Sequence, residues 1–134
     1  MFIAESKWRV QYYETDQMGV VHHSNYIRYY ESGRTEAIRQ LGLSYKALEE
    51  SGTFMPIIDV HSHYIRPARY DETITIRTII KEMPSARIIF YYEIYNEEGT
   101  LINEGSTTLA FTDALTGRPK RAAKLLTDNL SGYF

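Results

Sequence analysis

Residues 24–43 read "SNYIRYYESGRTEAIRQLGL". Tyr26, Ile27, Tyr30, Ala37, Ile38 and Leu41 recur at three- and four-residue intervals and fall near one stripe of an α-helix. Ser24 is placed to cap its start, and Gly42 followed by Leu43 reads as a C-terminal stop with its apolar clasp. A helix over Asn25–Leu41 is a rod of about 26 Å. Gly33 in its interior costs about 1 kcal/mol against alanine, and a small residue there lets a sheet approach closely. Glu31 and Arg34, three apart, read as a surface pair.

Outward from this helix the apolar period changes to two. On its N-terminal side, Lys7–Tyr13 reads as a strand with Trp8, Val10 and Tyr12 on one face; continued, it would carry Glu14 and Asp16 to the apolar side. On the other side, Ser44–Ser51 reads as a short helix. Then Phe54, Pro56, Ile58, Val60 and Tyr64 alternate against Asp59, His61 and His63. Ile74, Ile76 and Ile80 form a second alternating run, and Ile88, Phe90, Tyr92 and Ile94 a third. "NEEG" at 96–99 reads as a hairpin turn, Leu101–Thr112 as the last long strand, "TGRP" at 116–119 as a turn, and Ala122–Leu130 as a short helix or tail. Strands joined by short links argue for an antiparallel sheet. The helical stripe needs an apolar partner, and this sheet is the only large one. The expectation is an α+β domain: an antiparallel sheet of about five strands wrapped around one long central helix, occupying 1–134.

Composition narrows the function. The chain has 134 residues, no cysteine and a formal charge of −2 with acids and bases interspersed. A chain of this size buries roughly two-thirds of its unfolded surface and needs no staples. Disulfides, thiolate metal sites and cysteine nucleophiles are excluded. Without a basic block, nucleic acid is not an expected partner. No stretch reaches the ~20 apolar residues of a membrane span, and Glu5 and Lys7 interrupt what would be a signal-peptide core. No membrane partner and a cytoplasmic location are expected. Twelve tyrosines suit pockets and subunit contacts.

"YYETDQMGVVHHSNYIRYYESGRTEAIRQLG", residues 12–42, resembles the signature of the hotdog-fold acyl-CoA thioesterases, in the branch of 4-hydroxybenzoyl-CoA thioesterase and the YbgC-type enzymes. Asp16, Gly19, His23 and Tyr26 carry the spacing. The resemblance spans nearly the whole chain, and "TGRP" adds to it. It implies a hotdog fold, a dimer or a tetramer of dimers with sites at the subunit interface, and hydrolysis of an acyl-CoA without metal or other cofactor, coenzyme A entering as part of the substrate.

The residues suit that chemistry. Thioester hydrolysis needs an attacking oxygen and stabilisation of charge on the carbonyl oxygen. The Asp16 carboxylate supplies the first, as general base on water or as nucleophile; the sequence leaves both open. Backbone N–H groups at a helix start suit the second, and the resemblance points to the N–H of His23. Gly19 lets the chain turn back, and Tyr26 could line the acyl pocket. The plainer alternatives are that Asp16 caps a turn, that His23 makes a local hydrogen bond, and that Tyr26 is core. His22 reads as a surface neighbour. His61 and His63, with Asp59, share a strand face, as zinc ligands can, but sit where polar surface is expected, and no metal is assigned. Arg66, Arg69, Arg87, Arg118, Lys120 and Arg121 could meet the phosphates of coenzyme A. Arg87 and Arg118, near element ends, are the residues chosen. Two other functions remain open: an acyl-thioester hydratase or dehydratase, which pairs histidine with an acid on the central helix, and a hotdog protein that binds an acyl thioester without turnover.

Overall fold

The computed structural model describes residues 1–134. Strand β1 (Phe2–Arg9) is followed by α1 (Asn25–Gln40), α2 (Tyr45–Glu50), β2 (Thr53–Phe54), β3 (Ile57–Tyr64), β4 (Thr73–Ile80), β5 (Arg87–Tyr95), β6 (Leu101–Ala110), β7 (Thr112–Asp113) and α3 (Lys124–Leu130). Five strands form one sheet in the order β1-β4-β5-β6-β3, every neighbouring pair antiparallel. β2 and β7 form a two-stranded sheet. The helix α1 packs on one face of the large sheet.

The alternation read in β4 and β5 holds: Ile74, Ile76 and Ile80, and Ile88, Phe90, Tyr92 and Ile94, are all buried. They meet Tyr26, Tyr29, Tyr30, Ala37 and Ile38 of α1 in a single core. The Tyr30 ring stacks on Tyr92, centroids 4.3 Å apart. Gly33 does bring helix and sheet together: a Cβ there would lie 2.6 Å from Ile76 Cγ2 and 2.7 Å from Thr78 Oγ1. The helix ends as expected. Gly42 has φ +84°; its N–H donates to Arg39 O at 2.9 Å, and the Leu43 N–H reaches back to Ile38 O at 3.1 Å, the paired bonds of a Schellman stop.

Six readings need correction. The first strand is Phe2–Arg9 and not Lys7–Tyr13. Val10 leaves the ladder to exchange backbone bonds with Asp71 and Glu72, and a capping box between Gln11 and Glu14 winds Tyr12–Glu14 into a 3₁₀ turn. Tyr12 is therefore exposed, and Asp16 is not aimed by strand alternation. On α1, Tyr29 is buried while Ile27 is exposed. Arg34, also buried, is no surface residue: its guanidinium lies on the sheet side and donates to the Tyr92 hydroxyl at 3.5 Å. Ser24 has helical backbone angles and no capping bond to a backbone N–H. Finally, the strand expected around Phe54–Tyr64 breaks at Met55–Pro56 into β2 and β3, and a register shift falls between Ile57 and Asp59. β3 is a sheet edge with Ile57, Ile58 and Tyr64 exposed, so its apolar positions are not all core. The last strand likewise divides at buried Phe111, β7 turning away to pair with β2.

Candidate active site

The segment between β1 and α1 folds back on itself. Thr15 and Val21 form an antiparallel bridge, and Val20 bridges to Arg69. Gly19 makes the reversal at φ +77°, a region costly for residues with a Cβ. Its N–H donates to Asp16 O at 3.0 Å, and the Asp16 N–H donates to Val20 O at 2.9 Å. Asp16 Oδ1 accepts the Met18 N–H at 2.8 Å, so one carboxylate oxygen does cap the turn. The other makes no hydrogen bond within the chain and is available for chemistry.

Asp16, His23 and Tyr26 converge on one open cleft of about 320 Å³, completed by Val20, Val21, Tyr64, Ile65, Arg66 and Pro67. The Tyr26 ring packs edge-to-face on Tyr64, centroids 5.1 Å apart. Burial raises the Tyr26 pKa, so the phenol stays neutral and the wall uncharged. The Tyr64 hydroxyl crosses from β3 to donate to His23 O at 3.1 Å, and its ring lies edge-on to the imidazole of His23. Tyr64 fixes the turn from the sheet side.

The start of α1 leaves the His23 amide unused. The His22 N–H donates to Glu14 O at 2.9 Å and the Asn25 N–H to His22 O at 3.0 Å. The Ser24 N–H reaches His22 Nδ1 at 3.3 Å. The His23 N–H has no acceptor within the chain. A free donor at a helix start, on a residue that lines the cleft, suits a developing oxyanion. His22 thus has a part of its own: its ring caps Ser24, whose Oγ lies 2.8 Å from Nδ1.

Glu14 is a residue that motif reading missed. Only 2 % exposed, its Oε1 accepts Trp8 Nε1 at 3.0 Å, the Gln11 N–H at 2.7 Å and the Tyr29 hydroxyl at 3.2 Å. The carboxylate ties the end of β1 to α1 beneath the cleft. The available signal was its inward position on an extended strand, although a 3₁₀ turn delivers it there. Bonds to a charged acceptor contribute about 1.5–3 kcal/mol each. Glu14→Gln weakens three that share one oxygen, and unfolding in urea is expected to show a loss of about 2 kcal/mol. An unchanged midpoint would remove Glu14 from this role.

Arg87 and Arg118 do not join the cleft within one chain. Tyr64 pairs with Asn103, and Asn103 with Ile94. Arg87 pairs with Ala110 at the other end of β5, roughly 23 Å along the strand. Arg118 sits in the turn after β7, its carbonyl accepting the Asp113 N–H. His61 and His63 lie on the outer sheet face, each near its own carboxylate: Asp59 at 3.4 Å and Glu104 at 3.6 Å.

A carboxylate and a free helix-start amide at one cleft, carried on a helix-backed antiparallel sheet, define a thioester hydrolase of the hotdog fold. The comparisons agree. The chain belongs to the Thioesterase-like superfamily, whose family model matches residues 10–130. It is 34% identical to the acyl-CoA thioester hydrolase YbgC of Escherichia coli over 116 residues, 87% of each protein. To YneP of Bacillus subtilis, whose name provisionally assigns it to the acyl-CoA thioesterases, it is 32% identical over 133 residues, 99% of this chain and 96% of YneP. Among solved structures it is similar to a DHNA-CoA thioesterase from Staphylococcus aureus, with a TM-score of 0.90 and 32% identity, covering 99% of this chain and 89% of that one.

Proposed function

We propose that the protein hydrolyses an acyl-CoA with a short-chain or aromatic acyl group, giving the free acid and coenzyme A. The observation that carries this reading is the pairing at one cleft of an unpartnered Asp16 oxygen with the unpartnered His23 N–H. Asp16 either takes a proton from the attacking water or attacks the carbonyl carbon itself. The His23 N–H receives the charge that builds on the carbonyl oxygen. The C–S bond then breaks, the thiolate of coenzyme A leaves and takes up a proton, and, where Asp16 has attacked, water hydrolyses the resulting anhydride to the free acid and restores the carboxylate. Gly19 keeps the backbone close to the reacting group, and Tyr26 with Tyr64 walls an acyl pocket whose aromatic lining favours a flat or short group. No acid of α1 lines the cleft, which disfavours the hydratase chemistry that needs one there.

The reading assigns no metal or other cofactor. It does assign a second copy of the chain. The exposed apolar residues of edge strand β3, Ile57, Ile58 and Tyr64, suit continuation by another copy, in a dimer or a tetramer of dimers. In such an assembly Arg87 and Arg118, remote from the cleft of their own chain, are available for the phosphates of coenzyme A bound at a partner's. No helix is long and apolar enough to cross a membrane, and an acyl-CoA substrate supports a cytoplasmic location. The test is release of free thiol from a panel of acyl-CoAs, from acetyl to long-chain and aromatic. Hydrolysis of a short or aromatic member is expected. Binding without thiol release across the panel would replace this reading with a non-catalytic one.

A further inference from the structure

The oxyanion donor assigned above belongs to the peptide unit that joins His22 and His23. A trans peptide is planar, its C=O and N–H pointing in opposite directions, so a grip on the carbonyl sets the direction of the N–H. That carbonyl is gripped twice by one residue. His22 O accepts the Asn25 N–H at 3.0 Å and Asn25 Nδ2 at 3.3 Å. Nδ2 also donates to Glu14 O at 2.8 Å, the carbonyl that receives the His22 N–H. Both partners of Nδ2 are carbonyl acceptors, which fixes the orientation of the carboxamide. Asn25 is only 7 % exposed. It lies just past the turn, close to the cleft without lining it.

We propose that Asn25 is a positioning residue for thioester hydrolysis: its carboxamide holds the His22–His23 peptide so that the His23 N–H stays free and aimed for the oxyanion. Hydrogen bonds accepted by a peptide carbonyl also polarise the N–H at its other end, so the grip strengthens the donor as well as directing it. The anchor beneath is Glu14, whose carboxylate is locked by Trp8, Gln11 and Tyr29 while its carbonyl carries Asn25. This inference rests on the thioesterase reading, and its consequence is kinetic. Substrate binding depends on the cleft walls, whereas the donor acts on charge that exists only in the transition state. Losing the grip lowers kcat and spares KM.

The test uses the full chain, the best substrate of the acyl-CoA panel, and the variants Asn25→Asp and Asn25→Ser. Aspartate keeps the shape but turns an acceptor toward two carbonyls. Serine keeps one short donor. Asn25→Asp is expected to lower kcat about 30-fold with KM within threefold, and Asn25→Ser to fall between it and the parent. Both are read well below their melting points, and Asn25→Ser decides alone if the aspartate variant does not fold. A readout independent of turnover is the amide NMR signal of His23, which is expected to move on binding of a non-hydrolysable thioether analogue in the parent and to move less in the variants. Folded variants with the parental kcat and the parental His23 shift would overturn the proposal, as would a loss confined to KM. If the parent hydrolyses acyl-CoA and Asp16→Asn does not, such a result removes the positioning role alone. If the parent hydrolyses nothing in the panel, the thioesterase reading falls first and takes this one with it.

Discussion

Asp16→Asn is expected to lower kcat for acyl-CoA hydrolysis by about a thousandfold, roughly 4 kcal/mol of transition-state stabilisation, with the fold unchanged. Asparagine can keep the bond that Asp16 Oδ1 accepts from the Met18 N–H, and the turn is held besides by the Asp16–Val20 and Gly19–Asp16 backbone bonds. What it loses is the charge and basicity of the second oxygen. The two possible roles part in isotope labelling. If Asp16 attacks the carbonyl, a single turnover in H₂¹⁸O with excess enzyme leaves ¹⁸O in the Asp16 side chain after the anhydride is hydrolysed at the enzyme carbonyl; if water attacks directly, all ¹⁸O enters the acid product. Circular dichroism and a melting curve matched to the parent establish that the variant is folded. A folded Asp16→Asn enzyme with parental turnover would falsify the assignment of Asp16 as the catalytic acid group.

The second large effect is on stability. Gly105 lies in β6, opposite Ser62 of β3 and Tyr92 of β5. A Cβ there would overlap the Tyr30 hydroxyl and the His61 carbonyl, and would lie 2.7 Å from Tyr30 Cζ. Neither neighbour can yield cheaply. The Tyr30 ring is stacked on Tyr92, and its hydroxyl is bonded to Ser62 Oγ and to Asn103 Oδ1. The His61 carbonyl belongs to the backbone of β3. Gly105→Ala must therefore push β3 from the sheet or Tyr30 from its stack. Such overpacking costs about 3 kcal/mol, a fall in melting temperature on the order of 10 °C for a domain of this size. Because β3 carries Tyr64 to the His23 carbonyl, KM and kcat are expected to suffer as well. A melting temperature within 2 °C of the parent would show that the sheet absorbs the methyl group, contrary to this account.

The elements that were legible share one property: their signal is periodic and long. Five isoleucines, a tyrosine and a phenylalanine at spacing two mark β4 and β5, and the stripe of α1 marks a buried helix whatever lies beneath it. The errors fall where a local preference met a distant partner. Val10 would have continued a strand, but its backbone groups found Asp71 and Glu72, some sixty positions away in sequence. Arg34 looked like half of a surface pair with Glu31 until Tyr92 came within reach of its guanidinium. The apolar residues of β3 read as core because alternation cannot tell a central strand from an edge. Arg87 and Arg118 lie at element ends, a criterion blind to which end of the sheet.

For the site, the sequence by itself singled out the groups proposed to react. The spacing of Asp16, Gly19, His23 and Tyr26 places a carboxylate, a left-handed turn and a helix start within one turn of chain, where covalent connection alone keeps them near. The tertiary structure decided how they are held. Glu14 owes its burial to a 3₁₀ turn and to donors from β1 and α1, Tyr64 reaches His23 across 41 positions, and Asn25 matters for the carbonyls it happens to face. Hydrogen bonds depend on distance in space and on the angle of approach. Neither is encoded in spacing once the partners sit on different elements, and the support of this site is made of such bonds.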